Sequence, residues 1–239
     1  MSLTGEGTMP PEEIGHLIAE QFAEGVPYVH LRDVPFTRLE AAEQTMYIRR
    51  ASEMIGELSL SSGDPTSDVW RLDTVTSPSA SRIPYHTDNP FYKLPERFIG
   101  FWNLKSSMEG GENVLLTVDN LLEQLGCLPD GNELIDELET HQVTFAHDLS
   151  EAVHPILDTR QEVIRYDRRY ADAQSVQLAD RFTQILESGR LRGHVIKLAE
   201  GDVLFFDNYR LLHARESYTD LGRVSLRVRI EASENANDR

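Results

Sequence analysis

His86 and Asp88 stand two residues apart in Ile83-Pro84-Tyr85-His86-Thr87-Asp88-Asn89-Pro90. On an extended strand, residues i and i+2 project to the same side. The pair would therefore aim an imidazole nitrogen and a carboxylate oxygen at one point. Far downstream, Leu211-Leu212-His213-Ala214-Arg215 reads as a second strand carrying another imidazole. Two histidines and one carboxylate are the donor set of non-haem Fe(II) oxygenases, which keeps coordination positions open for a co-substrate and O2. An isolated H-x-D is a weak signal, since a polar strand end produces the same pattern. The surrounding chain has to supply the weight.

The final strand supplies some of it. From Arg223 to Ile230 the sequence alternates strictly. Val224, Leu226, Val228 and Ile230 face one way, while Arg223, Ser225, Arg227 and Arg229 face the other. A solvated face is the usual reason for such alternation. Here the strand follows His213 by one loop, which brings its polar face toward the same cavity. A guanidinium fork fits a carboxylate with two parallel hydrogen bonds, and Ser225 adds a hydroxyl on that side. A dicarboxylate such as 2-oxoglutarate needs a far-end anchor of this kind while its 2-oxo acid end chelates a metal. Arg223 and Arg227 are rival anchors, about 13 Å apart by strand rise, and the flanking Ser225 favours Arg223.

The elements that must position these residues are many and short. The spacing predicts helices from Pro10 to Glu24, from Arg38 toward Leu58 behind a capping box at Thr37 and Glu40, and through Leu121–Leu125, Leu134–Leu138 and Val176–Leu186. Strands are expected at Val26–Leu31, Val69–Val75, Arg97–Leu104, Asn113–Val118, Val143–Phe145, Val163–Tyr166, Leu211–Ala214 and Arg223–Ala232. His194–Leu198 and Val203–Phe206 read as a hairpin across Ala199-Glu200-Gly201-Asp202. Gly110-Gly111 forces a turn. Breaks are expected at Leu60–Pro65 and Ser77–Ser81, and a frayed tail at Ser233–Arg239. The pattern predicts a mostly β fold with flanking helices and a double-sheet jelly-roll core. No repeat or long linker divides the chain, so residues 1–239 are expected to form a single domain.

The 239 residues carry 23 basic and 40 acidic side chains, a formal charge of −17. That balance argues against nucleic acid or an anionic membrane as partner, and no apolar run approaches a bilayer-spanning length. Cys127 is the single cysteine. It excludes an intrachain disulfide and a thiolate zinc site, and a reducing, cytoplasmic setting is the simplest expectation.

Four short motifs in order carry a resemblance. They are His86-Thr-Asp-Asn-Pro, Gly110-Gly-Glu-Asn, Gly201-Asp-Val-Leu-Phe-Phe-Asp-Asn-Tyr-Arg-Leu-Leu-His213-Ala-Arg, and Arg223. With them the chain resembles the Fe(II)/2-oxoglutarate-dependent dioxygenases of the taurine dioxygenase and γ-butyrobetaine hydroxylase superfamily, over about Trp70 to Ile230. The resemblance implies a double-stranded β-helix, iron ligands at His86, Asp88 and His213, and a 2-oxoglutarate anchor at Arg223. It places Asn113 where relatives often carry a co-substrate-binding Thr. It also implies an O2-consuming reaction that converts 2-oxoglutarate to succinate and CO2 while attacking an unactivated C–H, with hydroxylation as the default outcome. The expected substrate is a small polar metabolite such as an amino acid or natural-product intermediate. Arg227 and Arg165 are candidate substrate contacts, the latter within a polar run, Arg165 to Arg169, that reads as either a solvated loop or a lid. Two other classes stay open: a cupin-like metal-binding protein without catalysis, and a protein- or RNA-directed hydroxylase.

Overall fold

The computed structural model describes residues 9–60, 67–73, 80–173, 175–220 and 222–231. The expected break at Leu60–Pro65, most of the loop at Ser77–Ser81, the end of the strand drawn to Val75 and the tail at Ser233–Arg239 lie largely or wholly outside these residues.

Two antiparallel sheets face each other. Helix α1 (Pro11–Ala23) leads to β1 (Tyr28–Leu31) and, through a 3-10 turn at Pro35–Arg38, to α2 (Ala41–Glu53). Strands β2 (Val69–Leu72), β3 (Ile83–His86), β4 (Phe98–Lys105) and β5 (Asn113–Thr117) follow. Then come α3 (Val118–Gly126), α4 (Gly131–Thr140), β6 (Val143–His147), β7 (Ser150–His154), β8 (Leu157–Asp158), β9 (Val163–Ile164) and α5 (Val176–Glu187). Strands β10 (His194–Ile196), β11 (Val203–Asp207), β12 (Leu211–Arg215) and β13 (Val224–Ile230) complete the order. One sheet runs β1-β11-β4-β13-β2 and the other β10-β5-β12-β3, with β6-β7 and β8-β9 as separate pairs. This is the jelly-roll core expected.

Alternation along the strands builds three apolar layers. In β11, Val203 and Phe205 join Ile14, Ile18, Ile48 and Trp102 in the layer under α1 and α2. Leu204 and Phe206 turn the other way and meet Ile99, Leu115, Ile196 and Leu211 between the sheets. Leu116 and Leu212 face a third layer under α3, α4 and α5 with Phe145, Tyr166 and Phe182. Trp102 is fully buried and stands edge-on to Phe36 and Phe205.

Four departures from the expectations stand out. The segments 194–198 and 203–206 do not form a hairpin: β10 pairs with β5, whereas β11 pairs with β1 and β4 in the opposite sheet. Their connection crosses between the sheets. It is pinned by Gly201 and Asp202, whose backbone groups exchange hydrogen bonds with Asn103. The capping box is displaced by one turn. Thr37 lies in the 3-10 turn, Glu40 caps α2, and the Glu43 side chain accepts from the Glu40 backbone N–H. The helix ends at Glu53, short of Leu58. Finally, β7 and β8 were not foreseen.

The Gly110-Gly111 turn is as expected and sterically required. Both residues have positive φ, 71° and 75°. A Cβ on Gly110 would fall 1.9 Å from the Ser217 carbonyl oxygen, and Gly111 N–H donates to that same oxygen at 3.0 Å. The turn thereby ties the start of β5 to the loop between β12 and β13.

Candidate active site

The first ligand strand stops early. His86 is the last residue of β3, and Asp88 lies in the loop beyond it, so simple strand geometry does not align them. The loop is instead held from outside. Asp88 N–H donates to Asn208 Oδ1 at 2.8 Å, and Asn208 Nδ2 donates back to the Asp88 carbonyl at 3.1 Å. The same amide nitrogen reaches the Glu96 carbonyl at 3.0 Å. Between the ligands, Thr87 N–H donates to the Tyr166 carbonyl and Thr87 Oγ1 accepts from Tyr166 N–H. Asn89 then takes a positive φ of 53°, which Asn tolerates better than most residues.

His213 sits opposite His86 in the β12–β3 pair. The ring centroids are 4.1 Å apart. Both Nε2 atoms lie 3.7 Å from Asp88 Oδ1, too long for hydrogen bonds. Among the described residues these three are the one group of His, Cys, Asp or Glu able to share an ion, with donor atoms within 4.8 Å of one another. His86 Nδ1 lies 2.8 Å from the Pro84 carbonyl oxygen, to which it donates, so Nε2 is the nitrogen turned toward Asp88. Burial, then the neighbouring His86, holds His213 well below the usual imidazole range, so it is neutral and able to ligate. Burial pushes the Asp88 carboxyl up, but the Arg229 and Arg227 guanidinium groups outweigh it and keep the group ionised. Two imidazoles and one carboxylate, all side chains, suit iron(II).

The triad opens into a cavity of about 100 Å³ lined also by Phe101, Asn113, Arg215, Tyr218, Arg223 and Arg227. Arg223 is buried, and among the described residues no carboxylate pairs with it. Its guanidinium lies 5.9 Å from the Tyr218 ring, whose other neighbour is Arg215 at 4.8 Å. Burial and the repulsion of Arg215 lower Arg223 to about 10. Asn113 Nδ2, in the same wall, is buried without a partner. Unpaired buried donors of this kind cost free energy unless a ligand satisfies them.

The other expected residues are placed differently. Arg227 stacks over Trp70 at 4.5 Å and brings Nη1 to 3.6 Å from Asp88 Oδ2. Ser225 is not brought to the cavity: its hydroxyl donates to Asn103 Oδ1 at 2.8 Å and is fully buried. The pairing of β13 with β4 shifts register between Val224 and Ser225, so Arg223 and Ser225 do not act side by side. Arg165 lies over the Tyr209 ring and donates to the Lys93 carbonyl, away from the cavity lining. Its neighbours are anchored, Tyr166 being buried with its hydroxyl bonded to the Ala179 carbonyl. Asn208 and Tyr166 are the positioning residues that spacing did not reveal. Asn208 stood within the long Gly201–Arg215 motif, yet only its distant partners show what it does. A larger open groove of about 650 Å³, between α4, β6 and α5, gathers no such donor set.

A jelly roll carrying a His-Asp-His face beside buried cationic side chains defines a candidate non-haem metal centre. Residues 15–229 match the family described as taurine catabolism dioxygenase TauD, TfdA family. The chain belongs to that family. It is 29% identical over 174 residues to the mitochondrial trimethyllysine dioxygenase of Gallus gallus, covering 64% of this chain and 41% of the relative. The mouse enzyme gives 30% with the same coverage. The chain thus spans less than half the length of these relatives. In fold it is similar to an asparagine oxygenase solved with Fe(II), 2S,3S-3-hydroxyasparagine and succinate, with a TM-score of 0.75, 14% identity, and coverage of 97% of this chain and 93% of that one. A non-haem iron oxygenase, OrfP, solved with Fe gives 0.70 and 18%, covering 93% and 80%. No helix among the described residues is long and apolar enough to cross a membrane.

Proposed function

We propose that this dioxygenase hydroxylates an unactivated C–H of a small amino-acid-like metabolite, with 2-oxoglutarate as co-substrate. The observation that carries the reading is the triad and an unpaired buried guanidinium sharing one cavity. His86, Asp88 and His213 would hold iron(II). Arg223 would take the distal carboxylate of 2-oxoglutarate, and Asn113 Nδ2 would donate to it. Arg227 is the weaker anchor, because Asp88 and Trp70 already engage it. Its place beside the triad suits a carboxylate of the substrate. The iron and co-substrate supply the oxidising chemistry, and the chain supplies position, charge and exclusion of water.

The substrate class rests on the relatives. Their names and complexes concern trimethyllysine, hydroxyasparagine and (3R,4R)-dihydroxy-L-Arg. The described residues are proposed to act as one catalytic unit, with no nucleic-acid or membrane partner. The lone, exposed Cys127 suits a reducing cytoplasmic compartment.

The test is succinate release from protein, Fe(II), 2-oxoglutarate and O2 with a panel of amino acids and their derivatives. One or more members should raise succinate in step with their own oxidation. Metal binding with no succinate from any member would move the chain to the class of non-catalytic metal binders.

A further inference from the structure

Asp88 has two oxygens with different surroundings. Oδ1 faces His86 and His213. Oδ2 accepts from both Nε and Nη2 of Arg229, at 3.2 and 3.1 Å. Two donors of one guanidinium thus converge on a single oxygen, and it is the oxygen turned from the imidazoles. Arg229 comes from β13 in the sheet opposite β3 and β12, and its side chain is 11% exposed. Neither the iron set nor the co-substrate anchor uses it.

We infer that Arg229 is a positioning residue that restricts Asp88 to one-oxygen ligation. A carboxylate is able to ligate with one oxygen or two. Two-oxygen ligation would occupy a coordination position that an octahedral ion otherwise offers to ligands from outside the protein. A 2-oxo acid chelate takes two positions and O2 needs another, so the second Asp88 oxygen competes directly with the reaction. Holding Oδ2 on a guanidinium removes that competitor. Arg227 does not duplicate this function, because its nearest nitrogen is 3.6 Å from the same oxygen and its plane lies over Trp70. The guanidinium also carries positive charge close to the ion, which weakens metal binding. Arg229 therefore trades metal affinity for open coordination.

This inference rests on the triad being the metal site, and the experiment separates the two. Mn(II) replaces Fe(II), and water-proton relaxation reads how many exchangeable waters the ion keeps. Arg229→Gln should hold Mn(II) at least as tightly as the parent, with one fewer exchangeable water. Its affinity for 2-oxoglutarate, titrated calorimetrically on the Mn(II) protein, should fall about tenfold, the scale of a single lost coordination or hydrogen-bonding advantage. Should the Gln variant fold poorly, Arg229→Lys carries the same test. It keeps a cation and one donor, so 2-oxoglutarate affinity should fall less and Mn(II) affinity should not fall. A purely structural Arg229 would lower both affinities together with melting temperature, and that result overturns the inference. So does a variant whose water count and 2-oxoglutarate affinity match the parent's. Parent protein that takes up no Mn(II) overturns the metal reading itself and this inference with it.

Discussion

His213 on β12 and His86 on β3 face each other across one strand pair, with ring centroids 4.1 Å apart. Their backbones are fixed by the pairing of the two strands, so losing one imidazole cannot be made good by the other. His213→Ala should therefore abolish succinate formation while circular dichroism stays that of the parent. Retained turnover in that variant would remove the triad from the mechanism.

Arg223 and Arg227 should separate cleanly. Loss of a charge-assisted bidentate pair costs a few kcal/mol, so Arg223→Ala should raise the 2-oxoglutarate requirement by about two orders of magnitude, at ~1.4 kcal/mol per tenfold. Arg227→Ala should act mainly on the requirement for the oxidised substrate. Titrating both compounds against both variants checks the assignment, and a reversed pattern would move the anchor to Arg227.

Asn208→Ala should lower activity without touching a ligand. The Asn208 amide exchanges two hydrogen bonds with the Asp88 backbone and spans to the Glu96 carbonyl. Removing it frees the loop that aims Asp88, and a misplacement of about 1 Å costs on the order of 100-fold in rate. Fe(II) affinity measured alongside the rate should fall as well. A full-speed Asn208→Ala enzyme would contradict this role.

His154 gives stability a pH dependence. Burial lowers its affinity for a proton below the ordinary 6.5, against the pull of the Pro90 and Pro155 carbonyls and with help from Arg165. The unfolded chain therefore binds that proton more readily than the folded one. Stability from this group is present above 6.5 and is lost as pH falls through the depressed folded value. Comparing melting temperatures of parent and His154→Gln from about pH 8 to about pH 5 isolates it. The parent should lose more stability on acidification than the variant, and parallel curves would show that His154 is not responsible.

The candidate ligands were legible because imidazole and carboxylate chemistry is local to the side chain. His86, Asp88 and His213 could be named from type and order, although β3 ends before Asp88 and the convergence is imposed by Asn208 and Tyr166. Those two were hidden because their partners lie 120 and 79 residues away in the chain. Alternation identified faces but not neighbours. It gave β11 its two apolar sides, yet the assignment of β10 and β11 to one hairpin failed, because period-two patterning says nothing about which strand lies alongside. Ser225 failed for a related reason, since a shift of register in β13 separated it from Arg223. Thr37 and Glu40 matched a capping pattern that Glu40 and Glu43 satisfied instead, one turn later.

The two histidines of the triad belong to the four-stranded sheet, whereas Arg227 and Arg229, which charge and hold Asp88, belong to the five-stranded one. Between the sheets lies the layer in which Leu115, Leu211, Leu204 and Phe206 pack with Ile99, Ile196 and Leu198. The distance between Asp88 and its guanidinium partners thus depends on how thick that apolar layer is. An enlarging or shrinking substitution there, such as Leu204→Ala, would detune the reaction before it melted the protein. On heating, such a variant would stop turning over while its circular dichroism was still that of a folded chain.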